Sequence, residues 1–270
     1  MKLLRVLSSL RRYLSIWLRF GRLSLQISFV NRGTIIFFFL GKGIRYAMML
    51  ILLWTLSKGI SQVGPYSIAQ LTVFFLVFQT VDTFSQMIFR GVYDFGSQVK
   101  SGDFDFDLCK PISPLFRALL GTPDINDLLF VIPTLILNLY IISRLPIQFS
   151  VGNIVMFFLL LINSFIIAAA FHIFVLASGI LVVEIDNTIM LYRDISRLAQ
   201  IPVSLYPTFM QFALFIIVPV GLMMTVPSQV LIGITPTVGI LLTFILGGGT
   251  LLAALLAWRR ALQKYTSASS

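Results

Sequence analysis

The stretch from Arg90 to Gly121, RGVYDFGSQVKSGDFDFDLCKPISPLFRALLG, is the longest charged interruption in a chain that is otherwise mostly apolar. Together with Asp124 just beyond it, the stretch carries half of the chain's ten acidic residues. So polar a segment cannot lie in hydrocarbon. We therefore expect it to lie in water between two membrane-spanning halves, and its basic residues favour the cytosolic side.

The composition around this stretch is that of a membrane protein. The chain has 270 residues, of which 58% are hydrophobic and 11% charged, whereas a soluble domain is about a quarter charged. The apolar runs do not alternate in polarity as barrel strands do, so the predicted class is an all-α membrane protein. The net charge of +10 fits positive-inside bias and anionic lipid better than nucleic acid. A single Cys109 excludes an internal disulfide.

Residues 1–30 predict a basic amphipathic helix. Apolar residues share one face and arginines recur every seven residues on the other; these are Leu3, Leu7, Leu10, Leu14 and Trp17, and Arg5, Arg12 and Arg19. The uncharged stretches between the arginines are too short for the apolar core of a signal peptide. The pattern indicates a helix on the cytosolic membrane surface. The alternative, a helix packed on the protein's own spans, stays open.

Six membrane spans are predicted at residues 34–57, 66–89, 127–143, 151–183, 207–226 and 237–258. The last two follow from length, because no charge occurs from Leu198 to Trp258, and one helix of that length far exceeds a hydrocarbon core of about 30 Å. Pro219, Pro227, Gly233 and Pro236 mark the turn. We expect an outer segment at 227–236, and whether it re-enters the membrane stays open.

The distribution of basic residues predicts the orientation. Lys58 and Arg144 fall in outer turns, and the other eighteen of the twenty Lys and Arg lie on or near the opposite side. Both termini are therefore expected in the cytosol. We expect one transmembrane domain covering 1–270.

Few side chains are candidates for chemistry. No Walker A pattern is present, since Gly41-Lys42 is followed by Gly43 inside a span. Asp103, Asp105 and Asp107 fail the calcium-loop pattern, which needs Gly and Glu where Leu108 and Pro114 stand, so we interpret them as a solvated acidic turn. His172 is expected to make a helix-packing hydrogen bond rather than bind a metal. Gly247, Gly248 and Gly249 predict close helix approach. We expect no metal, no cofactor and no enzyme activity on this chain.

A few polar side chains inside the spans are candidates for a translocation path. They are Lys42 and Arg45 in the first span, and Gln79, Asp82 and Gln86 on one face of the second. Lys42 and Asp82 lie at equal depth if the two spans are antiparallel neighbours, so we expect them to pair. The alternative is that Lys42 or Arg45 extends its ammonium or guanidinium to the cytosolic interface.

The segment Ser101 to Phe116, SGDFDFDLCKPISPLF, resembles the G-x-hydrophobic-D-x-x-L-x-basic-P-hydrophobic-x-P-L loop of type-2 ABC exporter permeases, in a six-span bacterial branch. The matching positions are Gly102, Phe104, Asp105, Leu108, Lys110, Pro111, Pro114, Leu115 and Phe116. Tyr206-Pro207, Pro219 and Pro227 are similar to that branch too. The branch usually has Arg where this chain has Lys110, and the acidic run is denser here.

The resemblance implies a permease half in a bacterial inner membrane. Two identical or homologous halves would pair, and each would dock a separate ABC ATPase that carries ATP and Mg. Docking would use a cytosolic coupling helix between spans two and three, near Val92 to Ser101. The candidate coupling residues are Tyr93, Asp94, Phe95, Lys100, Gly102, Asp103, Asp105, Lys110, Pro111 and Pro114.

Two other functions were weighed against an exporter permease. A secondary transporter driven by an ion gradient tends to carry mid-membrane ionisable residues and inverted repeats. Here such residues are few, and no repeat is visible. A membrane-embedded enzyme is disfavoured because the sequence offers no catalytic groups.

Overall fold

The computed structural model describes residues 2–30, 32–182 and 185–266. Val183, the predicted end of the fourth span, lies outside the described residues, as do the side chains of Leu3, Arg5, Leu7 and Leu10. Almost all of the described chain is helical, so the all-α membrane class is confirmed. The described part contains one small antiparallel hairpin, β1 (Gln62–Val63) and β2 (Tyr66–Ser67).

Twelve α-helices follow one another along the described chain. They are α1 (Lys2–Val30), α2 (Arg32–Gly59), α3 (Ile68–Phe89), α4 (Phe95–Ser101), α5 (Asp103–Leu108), α6 (Pro114–Leu120), α7 (Ile125–Arg144), α8 (Val151–Val182), α9 (Ile185–Arg197), α10 (Thr208–Phe212), α11 (Val220–Leu231) and α12 (Ile240–Gln263). Among the described residues, five helices are long and apolar enough to cross a membrane, and a bent pair formed by 208–217 and 220–231 makes a sixth candidate.

Helix α3 is the centre of the bundle. It begins in a capping box, where the Ser67 hydroxyl accepts from the Gln70 amide and the Gln70 side chain accepts from the Ser67 amide. Most of its residues are buried, including the run from Val73 to Phe78. A helix that is apolar on every face is stable only when neighbours surround it, and α3 packs against α2, α7, α8 and α11.

Helices α8 and α12 pack closely at one glycine. A Cβ on Gly247 would lie about 2.2 Å from the Asn163 side-chain oxygen, whereas a Cβ on Gly248 or Gly249 would meet nothing within 4 Å. The Asn163 amide also donates to the Thr243 carbonyl at 3.2 Å. Of the three glycines expected to permit close approach, only Gly247 therefore serves that role in the described chain.

The region predicted as a fifth span at 207–226 is not one straight helix. The chain runs through α10 and a π-helical turn (Ala213–Ile217), then bends by 101° into α11. Pro219 precedes α11 and Val218 before it is out of the helical region at φ −121°, because proline restricts the residue that precedes it.

Pro227 does not mark a turn, because the helix continues past it to Leu231. Pro227 lies inside α11, where every residue is buried. A proline inside a helix leaves the carbonyl four residues earlier without its donor. That carbonyl belongs to Met223, and the Ser164 hydroxyl of α8 donates to it at 2.6 Å. The neighbouring helix thus replaces the hydrogen bond that Pro227 removes.

The chain crosses the bundle earlier than expected. Arg193 of α9 lines a small pocket with Tyr93 and Asp82, toward the C-terminal end of α3. Only eleven residues later, the Ser204 hydroxyl lies 2.7 Å from the Tyr66 hydroxyl at the N-terminal end of α3. The segment 193–204 therefore runs along the bundle, before the predicted start of the fifth span at 207. Tyr192 stacks on Phe171 and holds α9 against α8.

Helix α1 packs on the protein as well as presenting an apolar face. Tyr13 meets Phe116 with ring centroids 4.6 Å apart, and Arg12 donates to the Pro111 carbonyl at 2.9 Å. Leu14 and Leu18 stay 59% and 57% exposed. The alternative of packing on the protein's own residues is thus observed in part, while the exposed leucines leave a surface suited to lipid.

Candidate functional site: the polar loop and the intramembrane charges

The loop from Arg90 to Gly121 folds into a short 3₁₀ turn followed by α4, α5 and α6. The segment expected near Val92 to Ser101 contains helix α4, Phe95–Ser101. Gly102 joins α4 to α5 with φ +80°, a left-handed conformation that only glycine adopts readily. Three short helices in series make the loop a folded unit rather than a flexible linker.

An aromatic cluster anchors this unit to the end of α12. Phe95 and Phe104 are 0% and 1% exposed, and their ring centroids lie 5.0 Å apart. The Trp258 ring lies 6.0 Å from Phe95 and 6.3 Å from Phe104. Aromatic side chains bury large areas, so α4 and α5 are held firmly against the last helix. Phe95, a predicted coupling residue, therefore serves first in packing.

The acidic residues of the loop have specific partners. Asp107 is buried and accepts from Lys110 at 2.6 Å, and the Arg117 guanidinium lies 3.4 Å from its other oxygen. The Tyr265 hydroxyl donates to Asp105 at 2.8 Å. The interpretation of a solvated acidic turn is wrong for Asp107, because two cations on the following segment fold back over it. Within the described residues, no group of acids, His and Cys has the geometry of a metal site.

The two prolines connect the loop to α1 and α6. The Pro111 carbonyl accepts from Arg12, and Pro114 is the first residue of α6, where a missing amide costs nothing. The Ser113 side chain caps α6 through the Phe116 amide at 3.4 Å. The loop is thus fastened on two sides, to α12 by aromatics and to α1 by this polar contact.

One face of the loop stays free. Its exposed side chains include the predicted Asp94, Lys100 and Asp103, together with Leu108 and Phe106. Phe106 is 70% exposed although it alternates with the buried Phe104. Sequence reasoning missed Phe106. The DFDFDL pattern could have identified it, because two residues that are two positions apart in a helix lie on nearly opposite faces. Tyr93 is half-buried beside Arg193.

The charges within the spans form one connected network. The Lys42 ammonium of α2 pairs with Asp127 of α7 and donates to the Gln86 side chain at 3.1 Å. Gln86 in turn donates to Asp82 at 2.7 Å, and Arg45 lies 3.8 Å from Asp82. Four of the five predicted path residues therefore meet. Gln79 stands apart, donating to Thr83 at 2.9 Å.

Lys42 forms an ion pair, as predicted, but Asp82 is not its partner. Lys42 pairs with Asp127, and Asp82 with Arg45, because α7 packs beside α2 and α3 at this depth. Lys42 is 14% exposed at its side chain and Asp127 is fully buried, so Lys42 does not extend to the interface. Sequence reasoning missed Asp127, which was taken only as the boundary of a span.

Two further predicted residues have local roles. His172 is buried, its Nδ1 lies 2.7 Å from the Ala168 carbonyl of the same helix, and its ring lies 4.7 Å from Phe89. The hydrogen bond expected for His172 is present, within its own helix. Cys109 is exposed.

Comparison with known proteins gives one match. A family model described as an ABC-2 family transporter protein matches residues 44–269. No curated protein and no solved structure matches the chain. The matched range covers the loop and the network residues Arg45, Asp82, Gln86 and Asp127, but it leaves α1 and the beginning of α2, with Lys42, outside it.

Proposed function

The chain belongs to the ABC-2 transporter family, and on that premise we propose that it is the transmembrane permease subunit of an ABC exporter. It moves a substrate out of the cytosol while a separate ATPase subunit hydrolyses ATP. The observation that carries the proposal is the folded loop, which has one anchored face and one free face. The family membership accounts for a multi-pass membrane component that is not itself the ATPase.

The free face of α4 and α5 suits a soluble partner. Phe106 offers a large apolar side chain among the charges of Lys100 and Asp103. Exposed aromatic residues surrounded by polar ones are typical of binding hot spots. On the opposite face, Phe95 and Phe104 connect the loop to Trp258, so force applied at Phe106 reaches α12 through packed rings.

The orientation in this proposal rests on charge. The loop and the end of α12 carry many of the chain's basic residues, including Arg259 and Arg260. The positive-inside rule therefore favours the cytosol for this end of the bundle, both termini included, in a bacterial inner membrane. The ATPase docks on this side, and ATP and Mg bind to that partner.

The translocation path runs beside the intramembrane network. Asp82, Gln86 and Arg193 line a small pocket between α3, α8 and α9. Lys42 and Arg45 contact Gln86 and Asp82, and Gln79 lies further along α3. A second permease half, identical or homologous, completes the path across the exposed sides of the bundle.

Co-purification with the ATPase tests the proposal. The permease is expressed with an ABC ATPase subunit of the same organism, and the complex is isolated through a tag on the permease. Phe106→Ala and Lys100→Glu are expected to weaken ATPase binding at least tenfold while membrane insertion stays normal. Ser97→Ala, at an exposed position on α4, the helix that carries Lys100, serves as the control. ATPase binding unchanged in both variants would place the docking site elsewhere.

A secondary transporter driven by an ion gradient remains the second candidate, and the buried Lys42–Asp127 pair favours it, because proton-coupled carriers use such groups. Reconstituted vesicles separate the two. Transport that needs ATP on the ATPase side of the vesicle membrane and continues in the presence of a protonophore supports the ABC permease. Export that stops with the protonophore and ignores ATP supports the carrier.

A further inference from the structure

A large apolar groove lies between α8, α9 and α12, and Tyr192 separates it from the small pocket that Asp82 and Gln86 line. It encloses about 760 Å³ and is lined by residues such as Phe171, Phe174, Leu191, Ile195, Leu246 and Gly249. The lining is almost wholly hydrocarbon, and the groove opens to the side of the bundle. Water has little to bind in an apolar cavity, so in a membrane this space is filled by something apolar.

The chain itself does not fill the groove. A Cβ on Gly249 would meet nothing within 4 Å, and Leu191 is 61% exposed. Acyl chains have no hydrophobic reason to prefer the groove over the bilayer, because lipid tails are as apolar as the lining. Selective occupancy therefore needs a polar recognition element at one end of the groove.

Basic residues supply that element. On α12, Arg260 follows the groove residue Ala253 by seven positions, which returns it to nearly the same helix face about 10 Å further along the axis. Lys264 follows by eleven positions and falls on the same face. Arg260 is exposed, and neither cation has an ion-pair partner in the part of the chain that the structure describes.

We propose that the groove binds one anionic phospholipid, with an acyl chain along Gly249 and Leu246 and its phosphate at Arg260 and Lys264. Charge complementarity favours a lipid over a second copy of the chain. A protein with a net charge of +10 offers few anionic groups to Arg260 and Lys264, whereas anionic phospholipids place phosphates at the depth of the membrane interface. The distance from Ala253 to Ile245 corresponds to about 12 Å of helix, enough for a large part of an acyl chain.

The bound lipid has a structural consequence for α9. One face of α9 lines the groove through Leu191 and Ile195, while Arg193 on another face meets Tyr93 beside the polar loop. An occupied groove therefore supports α9 in its contact with the loop region. This inference concerns lipid binding and does not depend on the direction of transport or on the ATPase.

The acyl-chain half of the proposal is tested by filling the groove. The full-length protein is placed in nanodiscs of equal phosphatidylglycerol and phosphatidylcholine, and retained lipids are counted by native mass spectrometry. Gly249→Leu is expected to lose one phosphatidylglycerol relative to Gly248→Leu, the matched control that also has open space at its Cβ but does not line the groove. Ala253→Phe serves as a second filling variant should Gly249→Leu fail to fold.

The headgroup half is tested by charge removal. Arg260→Gln is expected to lower the preference for phosphatidylglycerol over phosphatidylcholine about fivefold, the effect of one interfacial basic residue. Arg259→Gln, an exposed neighbour on another helix face, should leave the preference unchanged. Three results would overturn the proposal. The first is an equal lipid count in the Gly249 and Gly248 variants, and the second is an equal preference for phosphatidylglycerol in both arginine variants. The third is a disulfide-linked dimer formed by Ala253→Cys in a Cys109→Ser background.

Discussion

Asp107 in the polar loop and Asp127 in α7 are both buried carboxylates beside a lysine, but their surroundings differ. Asp107 meets two cations, Lys110 and Arg117, whose side chains are 48% and 26% exposed. Asp127 is fully buried, its lysine is 14% exposed, and its Oδ2 has no hydrogen-bond partner among the described residues. Near water, a carboxylate such as Asp107 can exchange a protein partner for water. Inside the bundle, Lys42 and Asp127 are each stabilised in the charged form mainly by the other.

The largest expected effect comes from breaking the Lys42–Asp127 pair. Asp127→Ala leaves a buried ammonium without its counter-charge, and removing one partner of a buried pair costs about 3–5 kcal/mol. Folded yield and melting temperature in detergent measure the loss. The double variant Lys42→Met with Asp127→Leu should recover most of the stability, because replacing both charges with apolar groups is often neutral. A double variant as unstable as the single one would contradict this explanation.

The second effect sharpens the comparison within the loop, where aromatic packing rather than charge holds the unit. Phe104→Ala is expected to cost about 3–4 kcal/mol through the cavity it leaves beside Phe95 and Trp258. Phe106→Ala, on the exposed side of the same helix, should change stability by less than about 0.5 kcal/mol. Thermal unfolding of both variants gives the difference, and similar losses would show that α5 is not anchored as described.

A smaller effect is expected at Asp107, the counterpart of Asp127. Asp107→Ala removes charge-assisted hydrogen bonds to Lys110 and Arg117 and should cost about 1.5–3 kcal/mol. The cost is smaller than at Asp127 because water can solvate the two cations that lose their partner. Lys110→Gln should cost at most about 1 kcal/mol, because the Lys110 side chain is 48% exposed to solvent and Arg117 still neutralises Asp107. Added salt is expected to narrow the gap between wild type and the Asp107 variant, but not to change the cost at Asp127. The melting temperature is measured with and without salt.

The smallest effect concerns pH at the contact between Tyr265 and the loop. Desolvation, and then the hydrogen bond and charge of Asp105, raise the pKa of Tyr265 to about 12, above its ordinary value of 10.0. A raised pKa in the folded state contributes stability that is complete below pH 10 and is lost as the pH rises through 12. Tyr265→Phe should therefore differ from wild type by a constant amount between pH 7 and 9. A difference that changes across this range would exclude a protonated Tyr265 donor.

The sequence predicted the parts of the site that depend on local pattern. Charge density located the polar loop, because so polar a segment cannot lie in hydrocarbon. The resemblance to type-2 permeases implied a helix near Val92 to Ser101, where α4 lies. The polar candidates Lys42, Asp82 and Gln86 were recognised because polar groups inside apolar runs are rare. Their partners were not recognised, because partners depend on which helices pack together.

Sequence by itself determined that this protein is a helical membrane protein with a polar loop between two apolar halves. Composition and segment length suffice for that, because hydrocarbon admits only apolar segments with internal hydrogen bonds. Tertiary structure alone decided that Lys42 pairs with Asp127, that Ser164 replaces the hydrogen bond missing at Pro227, and that the chain crosses the bundle before Ser204. Each of these contacts joins residues that are far apart in the sequence. Hydropathy indicates only whether a segment lies in hydrocarbon or in water, and it does not indicate which helices pack together.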